Sequence, residues 1–269
     1  MNKKMKIALI ALCVVFVGIF SFSAYKIIST LSGYKKAEQT YTNMSSQFVS
    51  VASPAPSDES APAESEIVVE PLEISPINVD FNSLLEINGE TVGWIYSPGT
   101  PINYPIVHTT DNFYYLDHLL DDEYNANGTI FVDCVCMPDF SDKNTLVYGH
   151  NMNDGSMFAS LRSYRLGDDP DYYTNHPNLY ISTPDKSYRV ELVAGLITTP
   201  ESYVYAYKFD EVEQFINYVD MVKAESTFKS DVEVGPDDKL VTLSTCTYEV
   251  DDGRYVVIGK LVEIAPPEG

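Results

Sequence analysis

Near its C-terminus the sequence reads KLVTLSTC, then the polar stretch TYEVDDG, then RYVVIGKLV. Two β-rich runs around a short polar connection predict an antiparallel hairpin. If it closes symmetrically, Cys246 lies opposite Arg254, Ser244 opposite Val256 and Thr242 opposite Ile258. Opposed residues share a sheet face, with Cβ atoms ~4.5–5.5 Å apart. A thiol is thereby set beside a permanent cation at a strand end. The thiolate is the reactive form of cysteine, and nearby positive charge lowers its pKa from ~8.5. A guanidinium can also donate hydrogen bonds to an oxyanion forming on an attacked carbonyl. The pattern suits nucleophilic chemistry, with Cys246 as the nucleophile.

Such a nucleophile needs an acid to protonate a departing amine, and the chain has four histidines. His150 ends the run TLVYGH, where Gly149 permits a sharp bend. His108 follows a Tyr-Pro-Ile-Val strand, His118 falls in a predicted amphipathic helix, and His176 precedes Pro177 in a loop. Strand ends favour functional residues, so His150 leads, but position alone leaves the choice open.

The elements that must hold these residues are mostly strands. Thr145–Tyr148, Leu179–Thr183, Tyr188–Ile197, Lys239–Thr245 and Arg254–Val262 are rich in Val, Ile, Leu, Thr and Tyr, and Val92–Tyr96 and Thr129–Val132 join them. Three helices are predicted: Asn112–Leu120, Met157–Tyr164 and Glu211–Ala224. The last carries Val212, Phe215, Ile216, Val219 and Val222 at helical spacing, a stripe best read as core packing. Many strands with few inserted helices give a mainly β barrel or sandwich with peripheral helices.

Upstream, 19 uncharged residues separate Lys6 from Lys26. That length crosses a hydrocarbon core of ~30 Å at ~1.5 Å per residue, and it exceeds the apolar core of a signal peptide. The expected order is a cytoplasmic N-terminus over 1–6, an uncleaved transmembrane anchor over 7–25, a stalk and flexible Pro/Ser/Glu-rich linker over 26–78, the catalytic domain over 79–264 and a tail over 265–269. The short basic N-terminus favours N-inside orientation, placing the domain on the extracellular face. All 39 acidic residues lie beyond position 30, against 13 basic ones there. So acidic a surface repels phosphate backbones and argues against nucleic-acid binding.

Taken together, YGHNM at Tyr148–Met152, LSTC at Leu243–Cys246 and the following Arg254 resemble the sortases of Gram-positive bacteria. So do INGETVGWI at Ile87–Ile95, INYPIVHTTDNFYYL at Ile102–Leu116 and GSMF at Gly155–Phe158. The helix Glu211–Ala224 resembles the insertion that marks class B. The resemblance implies an eight-stranded sortase β-barrel with an N-terminal helical extension. It also implies a cysteine transpeptidase with no cofactor. Cys246 would attack the Thr carbonyl of a C-terminal sorting pentapeptide on a surface protein. His150 would protonate the leaving amine, and Arg254 would stabilise the oxyanion. A peptidoglycan amine would then resolve the thioester. Asn112, Leu116, Tyr148, Ser244 and Thr245 match positions that line the peptide groove in class B relatives, and Tyr203 and Tyr205 are further candidates. Ser244 also shares the predicted face of Cys246. With ordinary Cys and His pKa values, only roughly 1% of molecules hold thiolate and imidazolium together near neutral pH, so a slow enzyme is expected.

Other features point elsewhere. Cys134 and Cys136 lack a second ligand pair for zinc and read as two loop thiols, a strained local disulfide being the alternative. Asp117, Asp121, Asp122 and Glu123 invite calcium, but a solvated helix end explains them better, so no metal site is expected. A pilin-polymerising sortase is the nearest rival function. A surface cysteine peptidase of papain type would place its Cys before its His and at the start of a helix. A non-catalytic adhesin domain would leave the Cys, His and Arg set unexplained.

Overall fold

The computed structural model describes residues 2–51, 73–165, 169 and 171–267. Eight strands close into a barrel, with few helices and an N-terminal helical extension. The chain begins with helix α1 (Lys3–Phe48), followed by the short strands β1 (Val49–Val51) and β2 (Ile77–Val79) and helix α2 (Phe81–Ile87). The barrel strands are β3 (Thr91–Tyr96), β4 (Asn103–His108), β5 (Ile130–Val132), β6 (Asn144–Tyr148), β7 (Asn178–Ser182), β8 (Ser187–Thr198), β9 (Lys239–Cys246) and β10 (Arg254–Ile264). Helix α3 (Tyr172–Asn175) precedes β7, and α4 (Val212–Ala224) lies between β8 and β9. Around the barrel the order is β10-β8-β7-β3-β4-β5-β6-β9. Among these strands, only β4–β5 and β6–β9 pair in parallel.

The β9–β10 pairing has the register expected from symmetric closure: Cys246 faces Arg254, Ser244 faces Val256 and Thr242 faces Ile258. Alternation then sorts the side chains. Leu243, Tyr255 and Val257 join the main core, whereas Leu240, Val256 and Ile258 pack with α4. Cys246 and Arg254 therefore project from the outer face of the barrel. On that face α4 buries Phe215, Tyr218, Val219 and Val222, at about 1.5–3 kcal/mol per large apolar side chain. Ile216 is only partly buried and Val212 is exposed, so the buried stripe takes Tyr218 in place of Val212. The polar end of Tyr218 is satisfied there, its hydroxyl donating to the Val204 carbonyl at 2.9 Å.

Two predicted helices are different objects. Asn112–Leu120 does not form: Asp111 Oδ1 accepts from the N–H groups of Phe113 and Tyr114 at 2.7 and 2.9 Å, and a single 3-10 turn follows over Tyr114–Leu116. Tertiary packing overrides the pattern. Tyr115 is drawn into the core, where its hydroxyl meets Glu90 at 2.6 Å and Asn88 at 2.8 Å, and the chain must turn to bury Leu119 and Leu120. His118 thus forms an isolated antiparallel bridge with Tyr124 and is not part of an amphipathic helix. Met157–Tyr164 becomes a 3-10 helix over Ala159–Tyr164. Met157 has a φ of 56°, which no helix tolerates.

Helix α1 has two halves. From Met5 to Leu31 its large apolar side chains are exposed, and an 18-residue window of the helix reaches a mean hydropathy of 2.7. Further on, Ala37, Tyr41, Met44 and Phe48 recur at helical spacing and are buried against the barrel. The helix ends where Val49 turns extended, and β1 pairs with β2 so that Val51 faces Ile77. Part of the expected linker, 52–72, lies outside the described residues, as does the end of the C-terminal tail.

Candidate active site

The outer face of β5, β6, β9 and β10 forms one wall of a cavity of about 440 Å³. His150, Cys246, Arg254, Asn112, Leu116, Tyr148, Ser244 and Thr245 all line it. The parallel β6–β9 pairing sets Tyr148 beside Ser244, near the end of each strand. His150 and Cys246 leave those two strand ends on the same side.

The chain past Cys246 closes through Thr247 N–H to the Gly253 carbonyl at 2.9 Å and Gly253 N–H to the Val250 carbonyl at 3.1 Å. Arg254 is fixed by its own turn. Its Nη1 donates to the Asp252 carboxylate at 3.0 Å and to the Asp252 and Gly253 carbonyls at 3.1 and 3.0 Å. With one corner of the planar fork committed, the guanidinium is held in a fixed orientation at the cavity wall.

His150 Nε2 lies 2.6 Å from the Leu116 carbonyl. A carbonyl only accepts, so Nε2 carries a proton and Nδ1 is the nitrogen left to exchange one. The backbone around the ring is tied on both sides. The His150 carbonyl accepts from Phe158 N–H at 2.9 Å, and Asn151 Nδ2 donates to the Cys246 carbonyl at 2.9 Å. The Asn151 bond links the histidine loop directly to the cysteine strand. The other three histidines lie outside this cavity. His118 stacks on Tyr114, His176 Nδ1 bonds the Pro98 carbonyl, and His108 lies at the end of β4.

Gly149 has a different reason to be glycine than the bend expected of it. A Cβ there would sit 2.5 Å from Ile130 Cδ1 and 2.7 Å from the Phe158 ring. Gly149→Ala should therefore destabilise the fold by about 1–3 kcal/mol and displace the histidine loop. Urea denaturation and peptide turnover, measured together, check this; a wild-type midpoint would show the packing to be slack.

The groove residues divide by what holds them. Tyr148 donates its hydroxyl to the Asp133 carboxylate at 2.8 Å, and burial with that charge pushes its pKa well up. Tyr205 and Ser244 share a hydrogen bond at 2.8 Å. Asn112 Oδ1 accepts from Cys134 N–H at 2.8 Å, which ties its side chain to the cavity rim. Leu116 keeps its side chain partly exposed. Thr245 pairs with Tyr255, and its hydroxyl is buried without a partner among the described residues. Of the two further tyrosines, Tyr205 lines the cavity, while Tyr203 packs against Tyr218 instead.

Sequence reasoning missed Asp133 and Asn151. An acidic residue ending the apolar run TIFV was a usable signal for Asp133; nothing local marked Asn151. Cys134 and Cys136 are free thiols. Burial pushes the Cys136 thiol up to about 11 and also raises Cys134, so both are poor nucleophiles. The acidic run is engaged by protein groups: Glu123 pairs with Lys36 on α1, Asp117 with His118, and Asp121 accepts from Glu123 N–H.

Comparison with known proteins agrees with this architecture. Residues 95–262 match the family model described as the sortase domain. Over 185 residues the chain is 41% identical to sortase B of Listeria monocytogenes, covering 68% of this chain and 74% of that protein. It superposes on sortase B of Bacillus anthracis in complex with AAEK1 with a TM-score of 0.69 at 30% identity, over 87% of this chain and 99% of that one. A Staphylococcus aureus sortase B–substrate complex gives a TM-score of 0.64 at 30% identity, over 69% of this chain and 85% of that one. Barrel, cavity and sequence likeness converge, and the chain belongs to the sortase family, in its class B branch.

Proposed function

We propose that this sortase transpeptidase uses Cys246, His150 and Arg254 to transfer surface proteins onto the cell wall. Cys246 thiolate attacks the Thr carbonyl of a C-terminal sorting signal, and Arg254 donates to the oxyanion of the tetrahedral intermediate. As the peptide C–N bond breaks, the imidazolium gives its Nδ1 proton to the leaving amine, which leaves a thioester. A peptidoglycan-precursor amine then loses a proton to His150, attacks the thioester and releases the thiolate. The observation that carries this reading is the convergence, in one cavity, of a thiol opposite a fixed guanidinium and an imidazole whose Nδ1 is left to exchange a proton. A solved Staphylococcus aureus sortase B is described as a substrate complex, and a further sortase B structure as a complex with triglycine. Both support a peptide and an amine as the two reactants.

The enzyme is further proposed to be a single-pass membrane protein, N-terminus inside and catalytic domain on the extracellular face. The exposed apolar half of α1 supports an anchor. Asn112, Leu116, Tyr148, Ser244 and Thr245 are proposed to contact the sorting peptide. The test is incubation of the full-length chain in detergent micelles with a library of fluorogenic sorting peptides, with and without triglycine. Slow cleavage, a thioester trapped at Cys246 and a shift to ligated product with the amine are expected. Cleavage indifferent to the amine would make it a peptidase, and no cleavage of any peptide would favour an adhesin.

A further inference from the structure

The ring of His150 is held by a carbonyl that belongs to another loop, and that loop is held by the anchor helix. Leu116, whose carbonyl accepts the Nε2 hydrogen bond, ends the 3-10 turn of the segment leading to Thr129. Gly128 closes that segment from beneath with a φ of 59°. A Cβ there would lie 2.3 Å from the Tyr115 carbonyl and 2.8 Å from the Leu116 carbonyl. Gly128 is therefore packed directly against the group that orients His150.

Gly128 in turn rests on α1. Tyr41, only 4% exposed, donates its hydroxyl to the Gly128 carbonyl at 2.6 Å, and its oxygen lies 2.9 Å from Thr129 Oγ1. Burial pushes the Tyr41 hydroxyl well above its ordinary pKa, so it stays a donor at any working pH. The single Thr129 hydroxyl proton has two acceptors in reach, the Tyr41 oxygen and the His118 carbonyl, each at 2.9 Å. Two outer contacts clamp the same segment to α1: Asn125 Nδ2 donates to the Gly33 carbonyl at 3.0 Å, and Lys36 pairs with Glu123.

A second route leads from the same tyrosine to the other flank of the histidine loop. Tyr41 packs edge-to-face on Tyr104 with centroids 5.3 Å apart. Tyr104 Oη accepts from Met157 N–H at 3.1 Å, and Met157 bridges Asn151, whose side chain holds the Cys246 carbonyl.

We infer that Tyr41 is a positioning residue for the transfer reaction, acting through Gly128 and Leu116 on the imidazole of His150. The N-terminal helix is then part of the scaffold of the site. Resting as it does on the reading of His150 as the proton-transfer group, the inference predicts a specific defect. Tyr41→Phe keeps the ring and the Tyr104 contact but frees the Gly128 carbonyl and the loop above it. Leu116 then no longer pins the Nε2–H tautomer. Turnover depends on reacting groups held to a fraction of an ångström, so kcat should fall about tenfold. The KM for the sorting peptide should stay put, because Tyr41 does not line the groove.

The experiment uses the full-length chain in detergent micelles with histidine labelled in both ring nitrogens by nitrogen-15. Four proteins are compared: the parent, Tyr41→Phe, Gln39→Ala on the exposed side of the same helix, and His150→Ala. The expected result is a kcat loss with unchanged KM and a mixed-tautomer signal for His150 in Tyr41→Phe, with Gln39→Ala like the parent. A parental kcat and a single His150 tautomer in folded Tyr41→Phe would overturn the inference, as would a kcat loss with an unaltered tautomer. Should Tyr41→Phe fold poorly, Tyr104→Phe tests the second route by the same two readouts. Parental activity in His150→Ala would instead overturn the proton-transfer role itself, so the two failures are told apart.

Discussion

Cys246→Ala is expected to abolish peptide cleavage, a loss of more than about 10⁴-fold, because the covalent route then has no first step. The fold should survive. Cys246 is the last residue of β9, partly exposed, and its carbonyl rather than its thiol carries the contact to Asn151. Removal of one sulfur from a strand end leaves the Leu243–Val257 core pairing untouched. The defect should therefore appear as a parental melting temperature with no thioester detectable by mass spectrometry. Iodoacetamide should label the parent at Cys246 and leave the variant unlabelled there. Normal cleavage by Cys246→Ala would remove the cysteine mechanism altogether, since burial keeps the Cys134 and Cys136 thiols protonated.

Arg254→Ala is the second large effect, with a different signature. Loss of one oxyanion donor typically lowers kcat by about 10²–10³-fold. Here the guanidinium faces Cys246 across a strand pair. Turnover should fall at least that far, while Cys246 remains present and still alkylates. Arg254→Lys should recover little, because an ammonium reproduces the charge but not the fork that Asp252 and Gly253 hold by one corner. Turnover and alkylation rates measured side by side decide the matter. Parental turnover in Arg254→Ala would move the oxyanion role to another donor.

How much of this was legible in the sequence depended on how local the cause was. The pairing of Cys246 with Arg254 could be read directly, because strand period and a short polar turn fix a hairpin register without outside help. The long barrel strands and α4 followed from the same periodicities. The Asn112–Leu120 segment could not be read in this way. Its aromatic run is sorted by where each ring is buried, and only the barrel decides that Tyr115 goes inward while Phe113 stays exposed. The choice among four histidines was equally non-local: only the closed barrel places His150, and not the other three, in the cavity that Cys246 and Arg254 line. Gly149 was singled out for the right residue and the wrong cause, a close approach of Phe158 in place of a bend. Ala37, Tyr41, Met44 and Phe48 are spaced as a helical stripe, yet the polar residues between them read as a polar helical stalk rather than as part of the core.

That stripe, together with the pairing of β1 and β2, changes what the stretch 52–72 is for. The ends that flank it are hydrogen-bonded to each other, with Val49 opposite Val79 and Val51 opposite Ile77, and Asp80 N–H reaches back to the Phe48 carbonyl at 2.8 Å. The barrel is therefore moored to α1 by buried contacts upstream of the stretch and by the β1–β2 pairing across its ends. A protease cut anywhere in 52–72 would sever the polypeptide without setting the catalytic domain adrift. Lengthening or shortening 52–72 should therefore leave the position of Cys246 relative to α1 unchanged.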